Sequence, residues 1–152
     1  MQDFLSQVSV VCNLKATSKK QILQELARRA APHVHLPERV IFDSLLERER
    51  LGSTGIGRGI AIPHARLADL DAVHGIFVRL IRPVDFDSVD DQPVDLVFLL
   101  LAPQDAGADH LKALARVTRL MRNDGLCAKL RGCETDDAVY ALVYGGMAMD
   151  AA

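Results

Sequence analysis

Residues 46–66 read LERERLGSTGIGRGIAIPHAR, and this stretch decides how the chain folds. The four glycines from Gly52 to Gly59 exclude a regular helix there, because each glycine in a helix costs about 1 kcal/mol of backbone entropy. The residues that follow, 60–62, are typical of a short strand, which Pro63 ends. The sequence therefore predicts a helix, a glycine loop and a short strand in succession.

Two helices are predicted on the N-terminal side of this stretch. Residues 18–21 (SKKQ) fit a capping box, in which a serine and a glutamine side chain satisfy free backbone N–H groups at a helix start. The apolar spacing that follows predicts a helix to about Ala31, where Pro32 stops it. Because Pro37 suits a first-turn position, a second helix is expected from there to about Arg50.

Strands dominate the middle of the chain, after an opening strand at 8–12. One strand runs roughly from Gly75 to Ile81. An acidic connection at 83–93 leads to residues 94–102, which are apolar on both faces and thus typical of a central strand.

Helices return in the last third of the chain. Apolar residues three and four apart predict a helix from Leu111 to Met121, which Asp124-Gly125 breaks. A final helix should start near Thr135 and end at Gly145-Gly146. Helix-like and strand-like segments are thus mixed along the chain, which predicts one unit of the α/β type.

The composition excludes several classes of function. At 152 residues, 49% of them hydrophobic, the chain suits one core, and we predict a single domain over 1–146 with a flexible tail at 147–152. Eighteen basic and twenty acidic residues leave a net charge of −2, which disfavours a nucleic-acid partner. The longest apolar run, 96–102, is far shorter than the ~20 residues of a membrane helix. Without the basic start of a secretory signal, a cytoplasmic protein is expected.

Metal and disulfide sites are not indicated. The three cysteines are Cys12, Cys127 and Cys133. Their odd number and the absence of C-x-x-C spacing favour reduced structural thiols. His33 and His35 lack the paired ligands of a metal site, and the acidic stretch 85–95 departs from the calcium-loop pattern. We therefore expect no metal and no cofactor.

The glycine loop is the first candidate for chemistry, because glycines let backbone N–H groups approach an anion. Neither nucleotide motif fits it. A P-loop needs Lys-Ser/Thr where this chain has Arg58, and the dinucleotide fingerprint needs a further glycine where Ala61 and Ile62 stand. Gly57 and Gly59 stay candidates for binding a phosphoryl group, with a plain helix-to-strand connector as the alternative.

Three side chains could form a site. His64 follows Pro63, whose fixed φ stiffens the approach to an imidazole that can act as nucleophile, base or metal ligand. His110 faces inward, because the residues four, seven and eleven positions later are apolar, and it is either a core histidine or an anion contact at a helix start. Arg48 lies near an apolar helix face, as does Glu49, and an ordinary salt bridge is its alternative role.

The stretch 46–66 resembles the active-site signature of phosphotransferase-system EIIA domains of the fructose/mannitol type. The likeness continues through 93–103 (PVDLVFLLLAP) and 109–111 (DHL) and covers nearly the whole chain to about Val143. Its STGIG run and HAR ending are most similar to the nitrogen-regulatory branch, EIIA-Ntr. The length leaves no residues for a fused EIIB or EIIC part, so a free-standing EIIA is expected.

The resemblance implies a fold and a phosphocarrier function. The fold would be a mixed β-sheet flanked by helices, in the α/β (α+β) class. A histidine, matched by His64, would accept a phosphoryl group as tele-phosphohistidine from the phosphohistidine of the carrier HPr or its nitrogen-branch counterpart NPr. His110 matches a second active-site histidine and Arg48 an active-site arginine. The phosphorylation state would regulate partners such as a sensor kinase or a potassium transporter, without a cofactor.

Two alternatives stay open. A sugar-specific EIIA would pass the phosphoryl group to an EIIB during uptake, and a binding module would never be phosphorylated. Because the neutral imidazole of His64 must attack, phosphoryl acceptance is expected to weaken as the pH falls below about 6.

Overall fold

The computed structural model describes the backbone of residues 8–151 and side-chain burial over 8–148. Within that range one domain contains five helices and six strands. In chain order they are β1 (Val8–Leu14), α1 (Lys19–Val34), α2 (Glu38–Arg50), β2 (Gly55–Gly57), β3 (Ile60–Ala61), β4 (His64–Leu67), β5 (His74–Val84), β6 (Val94–Pro103), α3 (Ala108–Met121), α4 (Asp124–Arg131) and α5 (Asp136–Ala151). No helix in the described range is both long and apolar enough to cross a bilayer.

Strand β6 lies inside a mixed six-stranded sheet, as its apolar run predicted. The strand order is β1-β5-β6-β3-β2, and β4 also pairs with β6. Strands β5 and β6 are antiparallel, whereas β1 pairs in parallel with β5, and β3 and β4 pair in parallel with β6. β3 and β4 follow one another along the same edge of β6, interrupted at Pro63, which has no N–H for the ladder. The predicted mixed sheet flanked by helices is confirmed.

The sheet divides the core into two layers. Val97 and Leu99 of β6 pack with the apolar faces of α1 and α2, whereas Phe98 and Leu100 pack beneath α3, α4 and α5. All four side chains are fully buried. Because each such side chain contributes about 1.5–3 kcal/mol when buried, β6 anchors both layers and fixes the strands that pair with it.

Helix α1 begins where the capping box predicted but ends later. The Ser18 hydroxyl accepts a hydrogen bond from the Gln21 N–H at 3.1 Å. The prediction that Pro32 stops the helix was wrong, since α1 continues to Val34. Proline in the last turn removes one N–H, but the His35 N–H still bonds the Ala31 carbonyl at 2.9 Å, and buried Val34 holds the turn against the core.

The predicted glycine loop contains a small hairpin. Strand β2 pairs antiparallel with β3, and Arg58 and Gly59 form the connection between them. Positive φ values of 100° at Gly57, 59° at Arg58 and 79° at Gly59 make this tight reversal. Such angles favour glycine, which explains why the segment carries glycines at both ends of the turn.

The C-terminal helices depart from the predictions in two ways. Helix α3 is confirmed, although Leu111 lies on its exposed side at 61% exposure. The sequence-based prediction missed α4, because it took Asp124-Gly125 only as a breaker. Asn123 is the cap, and its side chain accepts from the Leu126 N–H at 3.0 Å. Asp124-Gly125, which the sequence analysis took as a helix breaker, therefore lies in the first turn of α4.

Helix α5 passes through the glycine pair that was expected to end it. It runs to Ala151, and Met147 is fully buried, so the helix end predicted at Gly145-Gly146 was wrong. Ala152 lies outside the described residues, as do 1–7 at the start of the predicted domain. A Cβ at Gly146 would collide with Leu120 of α3, so this glycine serves close packing between helices and not a helix end.

Candidate functional site

His64 and His110 lie beside each other where β4 meets the start of α3. Their ring centroids are 5.8 Å apart, with the ring planes inclined by 44°. His64 is the first residue of β4, and His110 lies in the first turn of α3. The fold therefore brings together the two histidines that the sequence had singled out.

The register of β4 determines which of its side chains face the site. Ala65 and Leu67 are buried in the core layer of α1 and α2. Because side chains alternate along a strand, His64 and Arg66 point to the other side, toward α3. Pro63 separates this short strand from β3 and sets the start of β4 at the histidine.

One ring nitrogen of His64 is hydrogen-bonded to the backbone. Its Nδ1 lies 2.8 Å from the carbonyl oxygen of Ile62. Because a carbonyl can only accept a hydrogen bond, Nδ1 carries the proton in this arrangement and Nε2 keeps its lone pair. His64 thus presents Nε2 as the nucleophilic atom.

The surroundings of His64 favour its neutral form. Burial lowers the pKa of His64, and the nearby guanidinium groups of Arg48 and Arg66 lower it further, whereas the Ile62 hydrogen bond and Glu49 act in the opposite direction. The net shift is downward. An imidazole with a lowered pKa is unprotonated, and so nucleophilic, at neutral pH.

His110 is buried and incompletely paired. It is only 5% exposed, and its Nδ1 has no hydrogen-bond partner among the described residues. Burial, followed by His64 and Arg66, lowers its pKa. An unpaired buried polar atom costs about 1–3 kcal/mol, so this side chain is not an ordinary core histidine with both nitrogens satisfied. Its first-turn position at a helix N-terminus favours a nearby anion.

The two histidines open into a surface cleft of 440 Å³. It is lined by Ser44, Glu47, Arg48, Leu51, His64, Ala65, Arg66 and His110. The predicted Arg48 is half-buried there, and its Nη1 donates to the Gly52 carbonyl at 3.0 Å. Arg66 was not predicted, although its position two residues after His64 in a strand is the signal that places both on one face. Two guanidinium groups and two imidazoles make the cleft suitable for a phosphoryl anion.

Gly57 and Gly59 do not line this cleft. A Cβ at Gly57 would lie 3.2 Å from the Asp90 carboxylate, and one at Gly59 would lie 2.9 Å from that of Asp95. The side chains nearest to these positions are thus Asp90 at Gly57 and, at Gly59, Arg131, whose Nη2 would lie 2.7 Å from the Cβ, together with Asp95. The structure places these two glycines in the β2–β3 turn, where their positive φ values explain them, and it does not support the predicted phosphoryl-binding role.

Glu49 is a residue whose part in this region the sequence analysis missed. It is 7% exposed, and its carboxylate accepts from the Thr54 N–H at 3.1 Å and lies 2.9 Å from the Lys19 ammonium. Its closeness to the apolar face of α2 was visible in the sequence. Its partners, in α1 and at residue 54, were not.

Other parts of the described chain offer less chemistry. No group of three histidine, cysteine or acidic side chains within it could hold a metal ion. The three cysteines are free thiols, two of them buried. A larger groove of 630 Å³ lies among α3, α4 and α5, but its lining contains neither histidine nor carboxylate. The paired histidines, and not the size of a cavity, identify the site.

Comparison with known proteins identifies the family of the chain. Residues 3–145 match the family model described as phosphoenolpyruvate-dependent sugar phosphotransferase system, EIIA 2. A nitrogen regulatory protein of Bradyrhizobium diazoefficiens is 52% identical over 141 residues, covering 93% of this chain and 92% of the relative. Another, from Escherichia coli strain K12, is 41% identical over 150 residues, with 93% and 91% covered.

The solved structures give the same result. The crystal structure of nitrogen regulatory protein IIA-Ntr from Neisseria meningitidis superposes with a TM-score of 0.83 at 34% identity, over 91% of this chain and 94% of that one. The resemblance of the 46–66 signature is thereby confirmed over most of the chain. The chain belongs to the EIIA 2 family of the phosphotransferase system and is similar to its nitrogen-regulatory members.

Proposed function

We propose that Nε2 of His64 accepts a phosphoryl group from the phosphohistidine of a small carrier protein, HPr or NPr, and that the phosphorylation state regulates partner proteins. The observation that carries this proposal is the 2.8 Å hydrogen bond between His64 Nδ1 and the Ile62 carbonyl. It leaves Nε2 as the free nucleophile. Modification at Nε2 corresponds to the tele-phosphohistidine expected from the family resemblance.

The transfer step is a simple displacement. The lone pair of Nε2 attacks phosphorus while the bond between phosphorus and the carrier's imidazole nitrogen breaks, and that nitrogen keeps the electron pair. During the attack the proton stays on Nδ1, hydrogen-bonded to the Ile62 carbonyl, and the positive charge that the ring gains is relieved when this proton is lost after transfer, while the carrier's nitrogen takes up a proton. Both bonds are phosphorus–nitrogen bonds, so positioning and stabilisation of the peripheral oxygens are the main demands on the site.

The neighbouring side chains meet these demands. A neutral His110 has one N–H, and its buried ring lies 5.8 Å from His64 between the ring centroids. This N–H can donate to a phosphoryl oxygen, and the N-terminal end of α3 favours the same anion. Arg48 and Arg66 line the cleft and supply charged donors to the remaining oxygens.

Regulation follows from the charge that the phosphoryl group adds. Phosphorylation places nearly two negative charges in a cleft that faces solvent, which can block one docking surface and create another. Similarity to nitrogen regulatory proteins supports a regulatory output rather than sugar uptake. A sensor kinase or a potassium transporter is the kind of partner we propose.

Phosphoryl labelling tests the proposal. The protein is incubated with phosphoenolpyruvate, enzyme I and HPr or NPr, and ³¹P NMR then identifies the modified nitrogen. We expect an acid-labile adduct at Nε2 that His64→Ala abolishes, whereas His33→Ala, on the exposed end of α1, leaves labelling unchanged. Wild-type protein that stays unlabelled would leave only a binding module.

A second assay separates regulation from sugar uptake. The labelled protein is mixed with a sugar-specific EIIB of the fructose or mannitol type, and the label on each protein is followed. A regulator keeps its label, whereas a sugar-specific EIIA discharges it to the EIIB. Fast and complete discharge would replace our proposal with the uptake function.

A further inference from the structure

A buried carboxylate lies beneath the cleft and is not one of its lining groups. The side chain of Glu49, in the last turn of α2, is only 3% exposed. Both of its oxygens are used. Oε1 accepts from the Thr54 N–H at 3.1 Å and lies 2.9 Å from the Lys19 ammonium, while Oε2 accepts from the Thr54 hydroxyl.

Hydrogen bonds continue from this carboxylate to the phosphoryl acceptor. The carbonyl of Thr54 accepts from the Ile62 N–H at 2.9 Å, and the carbonyl of Ile62 bonds Nδ1 of His64 at 2.8 Å. Glu49, Thr54, Ile62 and His64 therefore form one continuous path. Thr54 and Ile62 are both buried, at 5% and 3% exposure, so water does not compete for these bonds.

The path matters because it includes the Ile62 carbonyl, which sets the tautomer of the His64 ring. The Ile62 carbonyl holds the proton on Nδ1 only while it stays aimed at the ring. Ile62 follows the two-residue strand β3, which by itself gives little support. The hydrogen bond from Ile62 to Thr54 adds support from the side, and Glu49 fixes Thr54 in turn through two hydrogen bonds.

We propose that Glu49 is a positioning residue for phosphoryl transfer, which through Thr54 and Ile62 holds the His64 ring in the orientation and tautomer that expose Nε2. The role rests on the proposed function, because it assumes that Nε2 is the acceptor. The carboxylate itself touches neither the phosphoryl group nor the carrier.

Lys19 stabilises the buried carboxylate of Glu49. An isolated buried carboxylate is strongly unfavourable, and Lys19 compensates its charge from the first turn of α1. The ammonium also lies 4.9 Å from the centroid of the Phe86 ring and 3.6 Å from the Asp87 carboxylate. The Glu49 path is thus tied to α1, α2 and the segment after β5 at once.

The test compares variants by ¹⁵N NMR of the His64 ring in unphosphorylated protein. Glu49→Gln removes the charge and keeps an oxygen for the Thr54 N–H, whereas the double variant Lys19→Met with Glu49→Leu removes both charges so that neither is left buried alone. We expect a measurable fraction of the Nε2–H tautomer in the double variant and less in Glu49→Gln. Wild-type protein should show only Nδ1–H.

The pH titration gives a second readout. Arg48, Arg66, His110 and Glu49 are the charged or titratable groups that influence His64. Glu49 and the Ile62 hydrogen bond both raise the pKa of His64. Losing either lowers this pKa, so the titration midpoint of His64 should move to lower pH in both variants. Because loss of the Glu49 charge lowers the midpoint by itself, the tautomer population is the readout that distinguishes positioning of the ring from a purely electrostatic or structural role.

Phosphorylation rates complete the experiment. We expect a loss of about tenfold in the double variant, because misplacing a reacting atom slows transfer strongly. Thr54→Val, which loses the hydroxyl but keeps the fold of the backbone, should fall between it and wild type, and Thr54→Ser should restore the rate. Glu25→Gln, which breaks a surface ion pair on α1, is the matched control and should behave as wild type.

The outcomes separate the two proposals. A folded double variant with the wild-type tautomer, midpoint and rate would overturn the role of Glu49. If the double variant does not fold, unchanged NMR and kinetics in both Thr54→Val and Glu49→Gln would overturn it equally. Should wild-type protein fail to accept a phosphoryl group, the proposed function fails, yet the tautomer still decides whether Glu49 positions the ring.

Discussion

The turn at Gly57–Gly59 and the cleft at His64 lie in the same short segment but use polar groups differently. At the turn, charged groups pair with one another. Arg131 bonds Asp95 through two nitrogens at 2.8 and 2.9 Å, and Arg58 bonds Asp124 at 2.9 and 3.0 Å. At the cleft, by contrast, Nδ1 of His110 has no partner among the described residues.

This difference distinguishes residues that stabilise the fold from residues that can bind a ligand. Groups that are paired inside the protein stabilise it and have little left to offer a ligand. Groups that stay unpaired cost stability and can bind an anion that arrives later. We therefore infer that the glycine turn supports the fold, and we propose the two histidines with Arg48 and Arg66 as the groups that meet the phosphoryl group.

The largest expected effect comes from His110. We expect His110→Leu to slow phosphoryl transfer about 100-fold or more, the usual scale for losing a positioned donor. Its melting temperature should stay equal or rise, because the buried imidazole with an unpaired Nδ1 is replaced by an apolar side chain. Labelling kinetics and thermal unfolding measure the two effects. A variant that lost stability but kept the phosphoryl-transfer rate would show that His110 supports the fold and not the transfer.

Next comes a substitution in the turn, Gly59→Ala. Gly59 has a φ of 79°, and a Cβ there would lie 2.7 Å from Arg131 Nη2 and 2.9 Å from Asp95 Oδ1. We expect the free energy of unfolding to fall by about 2 kcal/mol, from left-handed strain and crowding together, while the folded protein is phosphorylated at the wild-type rate. Gly125→Ala, on helix α4 with no neighbour nearer than 3.5 Å, is the control and should not destabilise. Urea denaturation measures both.

A smaller effect is expected from Arg131→Met. This change removes the two-nitrogen contact with Asp95 and the bond to the Arg58 carbonyl at 2.9 Å. The pair is partly exposed, so we expect a loss of only about 1 kcal/mol in unfolding free energy. Phosphoryl acceptance should be unchanged. If the rate fell more than the stability, the turn would take part in the chemistry after all.

The smallest effect is the pH dependence of stability. His64 and His110 both have lowered pKa values in the folded protein, so below the unfolded pKa near 6.5 the unfolded chain binds more protons than the native one. Stability should therefore fall as the pH drops below about 6.5 and stay level above it. Phosphoryl acceptance should decline in the same acidic range. Combining His64→Ala with His110→Leu should flatten the stability profile, leaving the contribution of His74, whose pKa is also lowered.

Sequence patterns gave correct predictions where a residue's position depends on its own helix or strand. The apolar spacing after His110 gave its inward direction correctly, and the apolar run of β6 gave its place inside the sheet. In each case the deciding neighbours lie within a few residues along the chain.

Predictions failed where distant elements decide. The partners of Glu49 lie in α1 and at Thr54, and no spacing rule connects them. Gly146 was predicted to end a helix, but in the fold it allows Leu120 of α3 to pack closely against α5. Gly57 was a candidate for binding a phosphoryl group because glycine suits both an anion site and a turn, and in the fold its positive φ belongs to the β2–β3 turn.

Strand β1 has a consequence for how the protein is made. It pairs in parallel with β5, and its other contacts include α5, so residues 8–14 meet their partners only after most of the chain has followed them. Contacts between such distant segments form slowly, because a long loop must first close. During synthesis on the ribosome, β1 therefore waits unpaired until β5 has been made, and its contacts with α5 form last.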